Sequence, residues 1–267
     1  MVKADFVLKL GGSAITHKDA PLSPNMPVME GTARELACVN LCKNKIILVY
    51  GGGSYGHYAA SKHMAAGKVQ SPAGVAEIRA AMLSLTKTLT VVFIWQGLPL
   101  FCINPSSALT LDDGHIANEE CLVRTTRRAL ECGLIPAVGG DVVLERGGGA
   151  RIVSGDLIAR LLARRLGAKA LLFGTDVDGI LGGDGRVMKK VGRGDLDALI
   201  ARIGGRRGDV TGGMAGKLTE VRSYLDEGGK MAVIFNLAKE GRLSGIINGG
   251  EVECTYIGSG NRRIDGE

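Results

Sequence analysis

Aromatic residues make up only 4% of the chain, which leaves little to stack nucleobases on and weighs against a single-strand nucleic-acid binder. The six cysteines, at 38, 42, 102, 121, 132 and 254, form no CxxC pair, and no histidine stands at zinc-finger spacing. That excludes a disulfide framework and a finger-type metal site as readings. Buried, reduced thiols in a cytosolic protein are expected instead. No run approaches the ~18 apolar residues that would span a bilayer, and the segment before Gly11-Gly12 does not fit a signal peptide. A cytoplasmic chain with no membrane partner is the expectation. The Walker A pattern is missing, because Gly216-Lys217 is followed by Leu218. The His-Arg-Asp loop of protein kinases is missing as well.

Positive charge and glycine are in excess. There are 33 Lys and Arg against 27 Asp and Glu, for a net charge of +6 and a pI near 9.0. The basic residues are spread along the chain without a block. This fits solvated helix faces plus a few ligands for polyanionic substrates better than a nucleic-acid surface. Glycine accounts for 41 of 267 residues, about twice the usual ~7%. Much of it is clustered directly after apolar runs.

Those apolar runs predict strands over 6–10, 45–50, 99–103, 134–138, 168–173, 231–236 and 254–257. Helical spacing covers 29–42, 54–66, 73–95, 117–132, 156–166 and 213–227. A hairpin is expected over 141–144 and 151–153, and a glycine-turned one within 177–190. Strands alternating with helices imply an α/β fold: a three-layer αβα sandwich with a mainly parallel central sheet.

Five loops carry the chemistry. The first is Lys9-Leu10-Gly11-Gly12-Ser13, with Lys18 soon after. Lys9 stands inside an apolar strand, where a charge is costly unless it meets an anion. An edge-strand lysine with its head in water explains it equally well. The second, Gly51-Gly52-Gly53-Ser54-Tyr55-Gly56-His57, matches G-x-G-x-x-G after a strand. Glu77 lies about 20 residues on, but in a helical stretch, so a dinucleotide fold is disfavoured. A backbone anion nest at a helix N-terminus, with His57 on the first turn, is the better reading. The third loop, 153–156, ends in Asp156, which suits either a helix cap or the orientation of lysines. The fourth, 174–179, offers Thr175, Asp176 and Asp178 to a nucleotide or a cation. The fifth, 209–217, precedes a helix with Lys217 on its early turns, an anion clamp. Phosphoryl transfer requires positioning and positive charge rather than one scaffold, and these loops supply both.

Together, Lys9–Ser13, the Gly51–Gly53 run, Ser154-Gly155-Asp156, Thr175–Gly179 and Asp209-Val210-Thr211-Gly212-Gly213-Met214 with Lys217 resemble the amino acid kinase family, in matching order over most of the chain. The Gly51–His57 segment and Thr16-His17-Lys18-Asp19 are similar to the branch that phosphorylates isopentenyl phosphate. The resemblance implies one domain over 1–267, with an acceptor-binding lobe to about 150 and a nucleotide lobe from about 151, and a homodimer. It implies ATP and Mg2+. Lys9, Lys18 and Lys217 would stabilise the transferring phosphoryl and Asp156 would hold lysines. His57 would bind the acceptor phosphate with Gly52 and Gly155 beside it. Lys9, Gly11, Gly12, Ser13, Gly53, Thr175, Asp176, Gly213 and Lys217 would contact ATP. Ile78, Met82 and Leu85 share a helix face and read either as core or as lining for an apolar tail. The stretch 180–190 lacks the longer proline-containing segment of relatives, which bears on adenine binding. A kinase for a phosphonate acceptor, similar to fosfomycin kinase, and a non-catalytic nucleic-acid-binding or regulatory protein are the alternatives.

Overall fold

The strand Phe6–Leu10 is buried at every position, as a strand must be when both faces of its sheet are covered. It lies in the middle of an eight-stranded sheet of a computed structural model that describes residues 2–204 and 213–258. Across the sheet the order is Lys190–Val191, Thr255–Gly258, Met231–Asn236, Ala170–Thr175, Phe6–Leu10, Ile46–Tyr50, Ile135–Gly139 and Leu100–Ile103. Six of these strands run parallel; Thr255–Gly258 opposes Met231–Asn236, and Lys190–Val191 runs with it.

Side chains alternate across a strand, so each strand feeds two cores. Leu8, Leu10, Leu48, Tyr50 and Leu172 pack with the helices Met26–Ala37, Gly53–His63, Pro72–Trp95 and Arg242–Ile247. Val7, Ile47, Val49, Leu171 and Phe173 pack with Glu120–Glu131, Gly155–Arg165 and Gly213–Asp226 on the other face. This is the expected αβα sandwich. Lys9 shares the second face, which aims it at the helices that carry Asp156 and Lys217.

Several local expectations are revised. The helix expected at 29–42 spans Met26–Ala37, with Pro27 tolerated in its first turn. The helix expected to reach 66 stops at His63, and a small hairpin, Met64–Ala65 with Lys68–Val69, follows. Residues 115–118 belong to a second hairpin, with Thr110–Asp112, turned by Asp113 and Gly114 at φ 44° and 78°. Asp-Gly is the expected signal for such a turn. Helices Leu196–Gly204 and Arg242–Ile247 were not expected. Cys38, Cys42, Cys121 and Cys132 are exposed, contrary to the expectation of buried thiols, while Cys254 is buried. The 24-residue helix Pro72–Trp95 is long and apolar enough to cross a membrane. In the fold it packs one face on the sheet, with 33% of that apolar window buried, and it is capped by Ser71, whose hydroxyl accepts from Gly74 N. Ile78, Met82 and Leu85 are buried core residues.

Candidate active site

Register brings the loops to one rim. Lys9 lies opposite Val49 and Phe173, and Leu10 opposite Tyr50 and Gly174. Thr175 lies opposite Asn236. The strands therefore end together, and the glycine loops begin together. Gly11 N donates to Gly174 O at 2.7 Å, and Gly51 N donates to Leu10 O at 3.0 Å. The helices Gly12–Ile15, Gly53–His63, Gly155–Arg165 and Gly213–Asp226 all start at this rim, and the positive end of a helix favours anions. In an open parallel sheet this is also where ligands bind.

Glycine is required where the loops touch. A Cβ on Gly12 would collide with Gly53 N. Gly53 itself has φ +48°, a conformation that L side chains rarely adopt. One on Gly155 would sit 2.9 Å from Tyr50 O.

Lys9, Asp156 and Lys217 meet below the loops. Lys9 Nζ is 2.8 Å from Asp156 Oδ1, and Lys217 Nζ is 3.1 Å from Asp156 Oδ2. Both lysines are nearly buried, and the Lys217 ammonium sits 4.8 Å from the centre of the Phe173 ring. One carboxylate thus serves two ammonium groups, leaving an excess positive charge out of water. Burial pushes the Asp156 carboxyl up, but Lys9 and Lys217 outweigh it and hold its pKa at about 2. Burial, then repulsion from Lys9, pushes the Lys217 ammonium down to about 8, against the pull of Asp156. The edge-strand reading of Lys9 is overturned, since its strand is central.

His57 lies on the helix Gly53–His63 and is exposed. Its imidazole is held below the usual histidine range, first by the crowding around it and second by the Lys9 charge. The Lys9 ammonium lies 3.5 Å from the point a Cβ of Gly51 would occupy. Gly52 packs against Met82, with its Cβ position 3.1 Å from the Met82 sulfur.

Lys18 stands apart from the buried trio. Its Nζ contacts Asp176 Oδ2 at 2.8 Å, and Ser13 Oγ donates to Asp176 Oδ1 at 3.2 Å. Both ends of the Lys18–Asp176 pair are solvent-accessible. The Thr175 hydroxyl is buried and bonded to Val177 O at 2.9 Å and Phe235 O at 3.1 Å, so it shapes the loop. Asp178 accepts from Arg242 Nη1 at 2.6 Å and from Asn236 Nδ2 at 3.1 Å. The two aspartates thus face different partners. Among the described residues no cluster of three His, Cys, Asp or Glu side chains could hold a metal. Gly213 opens its helix; the 209–212 part of the fifth loop lies outside the described residues. Sequence reasoning did not single out Arg242, Arg79 or Asp141. The signal used for Lys9, a charge within an apolar stretch, applies equally to Arg79.

Comparison with known proteins gives the chain a family. The model of the amino acid kinase family matches residues 6–236. The chain belongs to the amino acid kinase family. Within that family it is 32% identical to an isopentenyl phosphate kinase of Methanocaldococcus jannaschii, over 94% of this chain and 97% of the relative. A second isopentenyl phosphate kinase, from Methanothermobacter thermautotrophicus, is 30% identical over 94% of this chain and 98% of its own. Among solved amino acid kinase folds, an isopentenyl phosphate kinase superposes with a TM-score of 0.78 at 26% identity, covering 94% of this chain and 99% of that one.

Proposed function

We propose that this chain transfers the γ-phosphoryl of ATP to isopentenyl phosphate, giving isopentenyl diphosphate for isoprenoid biosynthesis. The observation that carries the reading is the excess positive charge of Lys9 and Lys217 over Asp156, with His57 in the first turns of the helix that follows the glycine loop. An amino acid acceptor calls for a clamp for ammonium and carboxylate; a monophosphate calls for N–H and cationic donors.

An oxygen of the acceptor phosphate attacks the γ-phosphorus, the bond to the bridging oxygen breaks, and ADP departs. The attacking oxygen is already ionised, so no base is needed. Positioning and charge stabilisation carry the reaction. His57, Gly52 and Gly155 hold the acceptor phosphate. Lys9, Lys18 and Lys217 bear on the transferring group, and Asp156 fixes two of those lysines. Gly11, Gly12, Ser13, Gly53, Thr175, Asp176 and Gly213 surround the nucleotide. Asp176, an accessible carboxylate on the loop after Ala170–Thr175, is the residue that would help hold a magnesium ion, and the ion would neutralise phosphate charge.

The reading includes an acceptor lobe to about residue 150, a nucleotide lobe beyond it and a cytoplasmic homodimer. The sheet ends at Leu100–Ile103, beside exposed Ile94, Trp95 and Phe101, a face suited to a second copy. Purified protein with ATP, magnesium and isopentenyl phosphate should release ADP and form a diphosphate visible by phosphorus NMR. Fosfomycin and nucleoside monophosphates serve as competing acceptors. No turnover of isopentenyl phosphate by folded protein, or faster turnover of fosfomycin, overturns the reading.

A further inference from the structure

The ion pair Arg79–Asp141, buried at its Asp141 end, lies outside the Lys9–Asp156–Lys217 group. Asp141 is 3% exposed. Its Oδ2 accepts from Arg79 Nη1 at 2.6 Å and its Oδ1 accepts from Val142 N at 2.8 Å, with Ser106 donating as well. Burial nonetheless holds the Asp141 carboxyl above its ordinary range, against the pull of Arg79. Ile78, Met82 and Val142, from the same helix and hairpin, are core residues. An apolar pair at such a place commonly matches or exceeds an ion pair in stability, so stability alone does not account for the charges.

Geometry supplies another account. Asp141 is paired in the hairpin with Val153, and Ser154, Gly155 and Asp156 follow directly. Gly140 N donates to Tyr50 O at 2.9 Å. A Cβ on Gly140 would come within 2.9 Å of Gly155 N. The segments 50–51, 140–141 and 153–155 therefore touch backbone to backbone, with no side chain between them to absorb a shift. Arg79 stands on the helix Pro72–Trp95, one turn before Met82, whose sulfur packs against the positions of Gly52 and Gly56. Two turns on, Thr86 Oγ1 bonds the Tyr50 hydroxyl at 2.6 Å. The same helix thus abuts the nest that carries His57 and is bonded to the segments that lead into Gly51 and Gly155.

We propose that Arg79, acting through Asp141, is a positioning residue that sets the spacing between the Gly52–His57 nest and the Lys9–Asp156–Lys217 group. The inference rests on the acceptor phosphate occupying that nest. The test is steady-state kinetics with ATP and isopentenyl phosphate, alongside thermal unfolding, for Arg79→Met, Arg79→Lys, Asp141→Leu and the Arg79→Met/Asp141→Leu double variant. Arg79→Met should lower kcat/KM for the acceptor about 10- to 100-fold, since small displacements of bound reactants cost on this scale, with the KM for ATP unchanged. Arg79→Lys, which keeps a charge for Asp141, should recover part of the loss. The double variant should regain thermal stability while remaining slow. Should Arg79→Met fail to fold, Arg79→Lys and the double variant carry the test. A double variant that regains turnover along with stability overturns the positioning role, as does an equal rise in KM for both substrates. A folded wild type that leaves isopentenyl phosphate untouched overturns the proposed function and this inference together.

Discussion

Asp156→Asn removes the one negative charge between Lys9 and Lys217 while preserving shape. In the folded chain the Asp156 pKa stands at about 2 against an ordinary 3.8, which corresponds to stability on the order of 2 kcal/mol. The side chain is 19% exposed, so solvent screening is limited and the figure needs little discount. The sign follows from linkage: the folded pKa is depressed, so the contribution is complete above pH 4 and disappears as pH falls through about 2. Denaturant unfolding of wild type and Asp156→Asn should differ by on the order of 2 kcal/mol at pH 6, with the gap closing between pH 4 and pH 2. The lost carboxylate should also drive the Lys217 pKa below about 8, because its attractive partner is gone while burial and Lys9 remain. Transfer should then decline at a lower pH in the variant than in wild type. Equal stabilities at pH 6, or a gap that persists unchanged at pH 2, would refute the assignment of Asp156 as the shared counter-ion.

His57→Ala should weaken acceptor binding or turnover and leave ATP affinity nearly intact, as read by separate KM values; an unchanged acceptor profile would break the assignment. Lys217→Ala should instead cut kcat itself by about 100-fold or more, the scale of losing one preorganised charge donor. In wild type, kcat/KM should fall as pH rises past about 8, where free Lys217 gives up its proton; a flat profile from pH 7 to 9.5 would contradict this. Gly12→Ala drives a methyl group into Gly53 N, so thermal unfolding should show clear destabilisation and activity should be lost. A fully active, equally stable Gly12→Ala protein would show that the loops are not in contact as described.

Much was legible before any coordinate. The strands Phe6–Leu10 and Met231–Asn236 follow directly from apolar runs stopped by polar or glycine-rich loops. The Gly51–Gly53 run and Gly155 stand where backbones come too close for a side chain. Small elements were less visible. The hairpin at 64–69 continues a helical pattern until Ala66 and Gly67 adopt positive φ, and a two-residue strand is too short for periodicity to register. Burial of the cysteines was misjudged because apolar neighbours in sequence do not decide which face of a turn meets water.

Residue order alone determined the alternation of strand and helix, the positions of the glycines and the supply of Lys9, Lys18, His57, Asp156 and Lys217, because those rest on short-range sterics and chemical type. Only tertiary structure decided how the charges divide. Lys9 faces Asp156 and Lys217 because strand alternation turns it toward those two helices, while Lys18 is drawn to Asp176 on an exposed loop. The pairing of Arg79 with Asp141, 62 residues apart, likewise depends on a helix crossing the sheet. Such partnerships depend on distance in space, and a linear sequence carries no measure of it.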